Sequence, residues 1–409
     1  MAGNLRDRLS RIQLAKQDKP KRENTPPVKT SKNMRGWTEI DSLALKREIR
    51  GDESFIFPRN MPEAAGIVIP GIHNDCKYED LLFFDLETTG LSGGAGTMAF
   101  LAAFGRFIKC RNEKSSNERN EYRLYITQYL LLDYPGEYIF IEAVLGEFKP
   151  DCTIVSYNGK CFDSQILATR CIMKGIMPPE YRHADLLYPA RRLWKRLLPD
   201  CSQATIETNI LGIDRTGDIP GAMAPEIWFS FLGNGDTGPL LQICDHNRRD
   251  ITGLASMFGA MLNIAFDPIA AAKNISFDPE LPAIRWHEIT VRNELTSRLL
   301  ETGKRFLCYA AEKECPRAQM RYAYLLFRDG NFNEGRKWLF RAAASAQPPL
   351  QAAALRSLAI DSERRLKNPS EALEFAERGM SLLPASYRRD EFECRIQRLR
   401  KKLEKPTAP

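Results

Sequence analysis

The order of apolar patterns along the chain constrains its fold more than any other feature. Up to about residue 262, apolar runs typical of strands alternate with segments of helical period, whereas every periodic segment after residue 285 is helical. The strand-like runs are 81–86, 98–107, 122–132 and 152–157, and the helical segments are 136–148, 163–173, 185–198 and 246–262. This order predicts an α/β domain with a mixed sheet flanked by helices, followed by an all-α domain.

The length of the chain predicts more than one domain, because 409 residues exceed the roughly 150 residues of a typical domain. A hydrophobic content of 43% and a charged content of 27% are globular values, which exclude a fibrous or wholly disordered chain. The predicted parts are a basic disordered arm at 1–35, a lead-in segment packed on the next domain at 36–78, the α/β domain at 79–265, a linker at 266–284 and the helical domain at 285–409.

The first 35 residues carry ten Lys and Arg against three Asp and Glu. Their net charge is therefore +7, which equals the net charge of the whole chain. This segment has few large apolar residues, so it cannot bury enough surface to offset the entropy of ordering. A basic arm attracts nucleic acid because its cations displace counterions from phosphates. It also increases solubility, and the sequence leaves both roles open.

Cysteine usage and the lack of long apolar runs indicate the compartment. The ten cysteines include no CxxC pair, which argues against a zinc knuckle or a disulfide framework. No apolar run approaches the roughly 20 residues that cross a bilayer, and the N-terminal segment lacks the apolar core of a secretory signal. We therefore expect a reduced, cytoplasmic protein that does not contact a membrane.

Two carboxylates stand at the end of the first strand-like run of the α/β domain. Asp85 and Glu87 are two residues apart, so a strand projects both to the same face. Like charges at one apolar strand end are costly unless a cation lies between them, and carboxylate oxygens select hard divalent ions such as Mg²⁺. The alternative is a pair of acids that reach solvent.

Two further acids stand at positions that converge with this pair. Asp163 opens a helix after an Asn-Gly turn, and Asp250 follows His246 at the i+4 position of another helix. Four acids from separate segments can hold two divalent ions, Mg²⁺ or Mn²⁺, about 3.5–4 Å apart. Such a pair would orient water and stabilise the leaving oxygen of a phosphodiester.

Five motifs in this order resemble the bacterial YprB-type ribonuclease-H-like domain family, which lies in the DEDD superfamily of 3′→5′ exonucleases. They read FDLETTGLSGGAGTMAFL, YNGKCFD, HADLLYPARRLWKRL, LGIDRTGDIPGAM and HNRRDITGLA. The resemblance implies a ribonuclease-H-like fold and a helical tetratricopeptide-like tail. It also implies metal binding by Asp85, Glu87, Asp163 and Asp250, with His246 as the base.

His246 departs from the pattern of that superfamily. In its histidine branch the base stands five residues before the last Asp, and in its tyrosine branch four, whereas this chain has a His at the four-residue offset. Imidazole titrates near neutral pH and suits water activation. A hydrogen bond to Asp250 alone is the alternative.

Several polar residues are candidates for contact with a strand of nucleic acid. Asn158 and Lys160 lie in the Asn-Gly turn, and Arg191, Arg192 and Lys195 form basic rows on a helix. Such cations can contact phosphates or remain solvated. Nearby, His183 and Asp185 are expected either to buttress the fold or to touch metal, and Glu207, Asp214 and Asp218 receive no role. The glycines of segment 90–97 allow either close approach of a phosphate or a tight turn.

The helical region contains a weak internal repeat. Asn331, Glu334 and Gly335 correspond to Asn368, Glu371 and Ala372, which lie 37 positions later in the chain. This spacing is close to that of helical-hairpin repeats. A non-repetitive bundle is the alternative. A repeat array would present a concave surface for a protein partner.

The leading function is a metal-dependent nuclease, a 3′→5′ exonuclease by the resemblance, acting on single-stranded DNA or RNA. The alternative is a catalytically weak nucleic-acid-binding or scaffolding protein whose helical domain holds a partner.

Overall fold

The computed structural model describes residues 34–90, 96–110, 119–293, 295–384 and 389–404. These residues build one seven-stranded sheet with helices around it. The strands are β1 (Thr38–Asp41), β2 (Ala44–Pro58), β3 (Leu81–Thr88), β4 (Ala99–Lys109), β5 (Arg119–Leu131), β6 (Thr153–Ser156) and β7 (Arg182–Asp185). The predicted basic arm lies outside the described residues except for Met34, which is buried, and Arg35.

The sheet is mixed, with the strand order β1-β2-β5-β4-β3-β6-β7. The neighbours from β1 to β3 pair antiparallel, whereas β3 pairs parallel with β6 and β6 pairs parallel with β7. The predicted mixed sheet followed by helices is therefore confirmed. Because β3 is buried between β4 and β6, the end of this strand is an enclosed position for polar groups.

Three strands were absent from the sequence prediction. The lead-in segment supplies β1 and β2, and β2 pairs along most of β5. Strand β7 ends at Asp185, the residue at which the sequence predicts the start of a helix. Polar side chains within these three strands obscure the alternation on which a strand prediction depends.

The helices of the first half are α1 (Ala65–Val68), α2 (Glu137–Leu145), α3 (Asp163–Met173), α4 (Leu187–Trp194), α5 (Gln203–Ile206), α6 (Ala224–Asn234), α7 (Thr237–Phe266) and α8 (Pro268–Ala271). Helix α7 crosses the sheet face to which Phe83 projects, with the Phe83 and Phe258 rings 5.7 Å apart between centroids. Leu82, Phe84 and Leu86 fill the core on the opposite face. Alternation along β3 therefore directs Asp85 and Glu87 towards α7.

The second half contains helices α9 (Glu280–Arg292), α10 (Ser297–Glu312), α11 (Pro316–Arg328), α12 (Phe332–Ala343), α13 (Pro348–Arg364), α14 (Pro369–Ser381) and α15 (Asp390–Glu404). Asn331 and Asn368 are the N-cap residues of α12 and α14, which agrees with the 37-residue repeat. Assignment to the tetratricopeptide class stays a prediction. No helix in the described ranges is long and apolar enough to cross a membrane.

Packing is continuous across the predicted linker. Trp286 and Phe306 lie in the same buried cluster as Phe258, and Phe277 within the linker is buried. The helices from residue 323 onward share a separate core with Leu358 and Phe375. The predicted boundary at residue 285 stays a prediction.

Candidate active site

Acids from three elements line one pocket of about 230 Å³ at the end of β3. Strand β3 contributes Asp85 and Glu87, the first turn of α3 contributes Asp163, and α7 contributes Asp250. His246, which is also on α7, lines the same pocket. The structure therefore brings together all five predicted catalytic residues.

The turn before α3 delivers Asp163 to the pocket. Asn158 adopts a left-handed backbone with φ of 64°, and Gly159 follows it. A Cβ atom at Gly159 would lie 2.5 Å from Ser156 Oγ and 2.9 Å from Asp163 Oδ2. Only glycine fits between the end of β6 and the Asp163 carboxylate.

Asp185 holds this turn from the neighbouring strand β7. Its Oδ1 accepts hydrogen bonds from the backbone N–H groups of Asn158 and Leu187 over 2.8 and 3.0 Å, and its Oδ2 accepts from Lys160 N–H over 3.2 Å. Of the two roles considered for Asp185, the structure favours support of the turn. His183 contacts Ser156 Oγ at 2.7 Å from its Nε2 and likewise supports the strand end.

The crowded carboxylates favour protonation when no cation is bound. Burial, followed by repulsion from Asp250 and Asp163, raises the pKa of Asp85 and of Glu87 well above the usual range. Burial also raises the pKa of Asp163 to about 7. Neutralising this site with cations would restore the ionised forms that ligate metal.

Three side chains form the tightest group of possible ligands. Glu87, His246 and Asp250 each offer one ligand atom, and these atoms lie within 4.8 Å of one another. Asp85 and Asp163 line the same pocket outside this group. The donor set of carboxylates with one imidazole fits a divalent cation.

Arg215 neutralises part of the site from the segment between α5 and α6. Its Nη2 lies 2.5 Å from Asp250 Oδ1, and its Nη1 lies 2.7 Å from Asp218 Oδ2. It also contacts the fully buried Glu207 at 2.5 Å. Burial raises the pKa of Glu207 to about 6 in spite of the guanidinium. Arg215 thus links Asp250 to two acids that received no role from the sequence.

His246 lies between two carboxylates. Its Nε2 is 3.3 Å from Asp250 Oδ2, and its Nδ1 is 3.0 Å from Asp218 Oδ1 without the geometry of a hydrogen bond. A Cβ atom at Gly221 would come within 3.0 Å of Nε2. Segment 221–225 therefore closes over the imidazole, and both the proton-transfer and the structural role remain compatible with this position.

Asp85 ends a chain of hydrogen bonds that begins at the surface. Arg47 Nε donates to Gln128 Oε1 over 2.6 Å, and Gln128 Nε2 donates to Asn247 Oδ1 over 2.8 Å. Asn247 Nδ2 then donates to Asp85 Oδ2 over 2.7 Å. Because arginine is a donor only, the chain has one direction and leaves the Asp85 carboxylate as the acceptor.

The residues predicted to contact nucleic acid differ in burial and in their position relative to the pocket. Asn158 lines the pocket, and Lys160, Arg191 and Lys195 are exposed. Arg192 is half-buried, and burial lowers the pKa of its guanidinium. Their contact with nucleic acid stays a prediction. Arg196, two residues beyond the end of α4, instead pairs with Asp278 and Glu280 at 3.0 and 2.6 Å.

Comparison with known proteins identifies the fold family. A model of the RNase_H superfamily matches residues 82–262, the span that contains the pocket acids. Residues 82–262 form an RNase_H superfamily domain. The chain is also similar to the uncharacterized protein YprB of Bacillus subtilis (strain 168), with 29% identity over 329 residues that cover 79% of this chain and 75% of that protein. The predicted resemblance and the ribonuclease-H-like fold are confirmed.

The RNase_H domain indicates a general type of activity, a nuclease-type function with binding of nucleic acid. Nucleases of this superfamily generally use divalent metals. The acidic cluster is a possible metal site of this kind. The cluster contains Glu87 near the start of the matched span 82–262 and His246 and Asp250 near its end.

Sequence reasoning missed three residues of the RNase_H domain that contact the candidate catalytic residues Asp85, His246 and Asp250. Arg215 and Asp218 stand in the motif LGIDRTGDIPGAM, which marked this segment as close to the cleft without assigning roles. Asn247 follows His246 directly. In a single sequence, a charge pair that contacts a site cannot be distinguished from a solvated pair in a loop, so only the contacts reveal the positions of these residues.

Proposed function

We propose that the protein is a metal-dependent nuclease that hydrolyses phosphodiester bonds of single-stranded DNA or RNA with two divalent ions, Mg²⁺ or Mn²⁺. The observation that carries the proposal is the convergence of Asp85, Glu87, Asp163 and Asp250 on one pocket of the RNase_H domain. Two divalent ions, when bound, supply charge neutralisation for the attacking and leaving oxygens. Action from the 3′ end follows from the resemblance to the DEDD exonucleases.

We assign metal binding, proton transfer and phosphate contact to different side chains in and around the pocket. Asp85, Glu87, Asp163 and Asp250 would hold the ions through their carboxylate oxygens. Because the pKa values of Asp85, Glu87 and Asp163 are raised, ionisation of these groups near neutral pH would depend on the charge of the bound cations. His246, beside Asp250, takes the proton from the attacking water. Lys160, Arg191, Arg192 and Lys195 contact phosphates of the strand.

A pair of cleavage assays tests the proposal. End-labelled single strands of DNA and of RNA are incubated with the protein in Mg²⁺, in Mn²⁺ or in chelator, and we expect shortening only with the ions. Glu87→Gln should abolish cleavage. Glu180→Gln is the matched control, because Glu180 is exposed and lies outside the pocket.

His246→Ala should slow cleavage by about a hundredfold or more, within the range of a positioned base. An unchanged rate would assign His246 to the support of Asp250. If the wild-type protein cleaves neither strand with either ion yet binds both, the nuclease proposal fails and the alternative of a binding or scaffolding protein is supported.

A further inference from the structure

The helical region contains an open apolar cavity of about 630 Å³ between α11, α12 and α13. Its walls include Tyr324, Phe327, Phe332 and Ile360. The side chains of Tyr324 and Phe332 are 41% and 43% exposed, although large aromatic rings are usually buried. The cavity therefore presents two ring surfaces to solvent.

The rim of this cavity is cationic. It carries Arg356, Arg364 and Arg365 against one acid, Asp361. Arg365 binds Asp361 at 2.7 Å and lies over the Phe332 ring at 5.2 Å, and Arg356 pairs with Glu391. The exposed Arg364 has no ion pair with any described residue. Its charge is thus available to a ligand beside the aromatic rings.

The distribution of charge along the chain indicates the class of ligand. Residues 36–265, which include the RNase_H domain, contain 23 Lys and Arg against 30 Asp and Glu, whereas residues 285–409 contain 25 against 16. The domain with the candidate site is net negative and would repel a polyanion. The helical region is net positive by nine charges and can supply the missing attraction.

We propose that this cavity binds single-stranded nucleic acid, with a base stacked on Tyr324 or Phe332 and a phosphate on Arg364. The inference rests on the proposed function for its choice of a single strand as ligand. Single-strand sites combine aromatic faces for bases with cations for the backbone. The residues that line this cavity include both aromatic rings and arginines.

Strand binding without hydrolysis is the direct test. The affinity of the full-length protein for fluorescein-labelled dT20 and rU20 is measured by anisotropy in chelator, at several salt concentrations. Arg364→Glu should weaken binding at least tenfold and reduce the slope of log affinity against log salt by about one or more. Tyr324→Leu, which keeps an apolar side chain but removes the aromatic ring, should weaken binding at least about fivefold with an unchanged slope.

Arg305→Glu is the matched control, because it makes the same charge change at an exposed residue of α10 outside the cavity. It should change affinity less than twofold, and Arg364→Lys should keep the salt slope. Equal weakening by Arg364→Glu and Arg305→Glu would overturn the proposal, since net charge alone would explain it. Displacement of the strand by a peptide of alternating Glu and Leu at a lower concentration than by unlabelled dT20 would also overturn it, in favour of protein docking.

The two proposals fail separately. If the wild-type protein cleaves strands and Arg364→Glu leaves both affinity and salt slope unchanged, only the cavity proposal is overturned. If no cleavage occurs with either ion but strand binding depends on Arg364 and Tyr324, the cavity proposal is supported and the nuclease proposal fails.

Discussion

Asn247 and Asp85, 162 residues apart in the sequence, are joined by a hydrogen bond of 2.7 Å from Asn247 Nδ2 to Asp85 Oδ2. The amide is fully buried and is itself fixed by Gln128. It occupies one carboxylate oxygen of Asp85 and leaves the other for a ligand. Asn247 is therefore a positioning residue for the proposed metal site.

Replacing Asn247 should weaken metal binding. We expect Asn247→Leu to lower the affinity for Mn²⁺ by about 10- to 100-fold, the range for partners that orient metal ligands, as measured by titration calorimetry. Asn263→Leu is the control, because Asn263 lies on the same helix outside the pocket. Equal affinities for the Asn247 variant and the wild type would remove the positioning role.

The stability of the ion-free protein should depend on pH in an unusual direction. The folded-state pKa of Asp163 is raised to about 7 by burial, so the folded state binds more protons than the unfolded state between about pH 4 and pH 7. The stability contributed by the protonated carboxyl is present at low pH and is lost as pH rises through about 7.

Thermal unfolding followed by circular dichroism checks this dependence. In chelator, the midpoint should fall between pH 5 and pH 8, and Mn²⁺ should reverse the trend because it binds the ionised carboxylates. Asp163→Asn should make the fall in chelator smaller without abolishing it, because the pKa values of Asp85 and Glu87 are raised in the same direction. A midpoint that rises across this range in chelator, for the wild type, would contradict the assignment.

Arg215 should be essential to stability because it neutralises the buried Glu207. Arg215→Met would leave that carboxylate without its cation and should lower the free energy of unfolding by about 3–5 kcal/mol. The double variant Arg215→Met with Glu207→Gln should recover part of the loss, since glutamine carries no charge. Urea unfolding measures both effects, and strict additivity of the two substitutions would argue against coupling.

Gly159 should tolerate no side chain. Gly159→Ala places a Cβ within 3 Å of Ser156 Oγ and Asp163 Oδ2, so we expect displacement of Asp163 and at least a tenfold loss of Mn²⁺ affinity. Gly233→Ala is the control, because a Cβ there meets no atom within 4 Å and alanine favours the helix. Calorimetry compares the two, and equal affinities would show that the turn adapts.

The sequence predicts helices at 317–328 and 331–345, and these lie within a few residues of α11 (Pro316–Arg328) and α12 (Phe332–Ala343). It predicts no bounds for α9, α10 and α15. Amphipathic helices place apolar residues at a local period, so their pattern is legible in one sequence. Strands β1 and β7 lie at the sheet edges, where exposed polar residues interrupt the alternation, and they were not predicted.

The sequence by itself determined the kinds of most elements, the candidate acids Asp85, Glu87, Asp163 and Asp250, and the family resemblance through the order of five motifs. These properties depend on local periodicity and on the identities of neighbouring residues. Only the tertiary structure decided that Asn247 binds Asp85 and that Arg215 pairs with Asp250 and Glu207. Those contacts join segments that are distant along the chain or follow an irregular loop, and no local period specifies which side chains will meet.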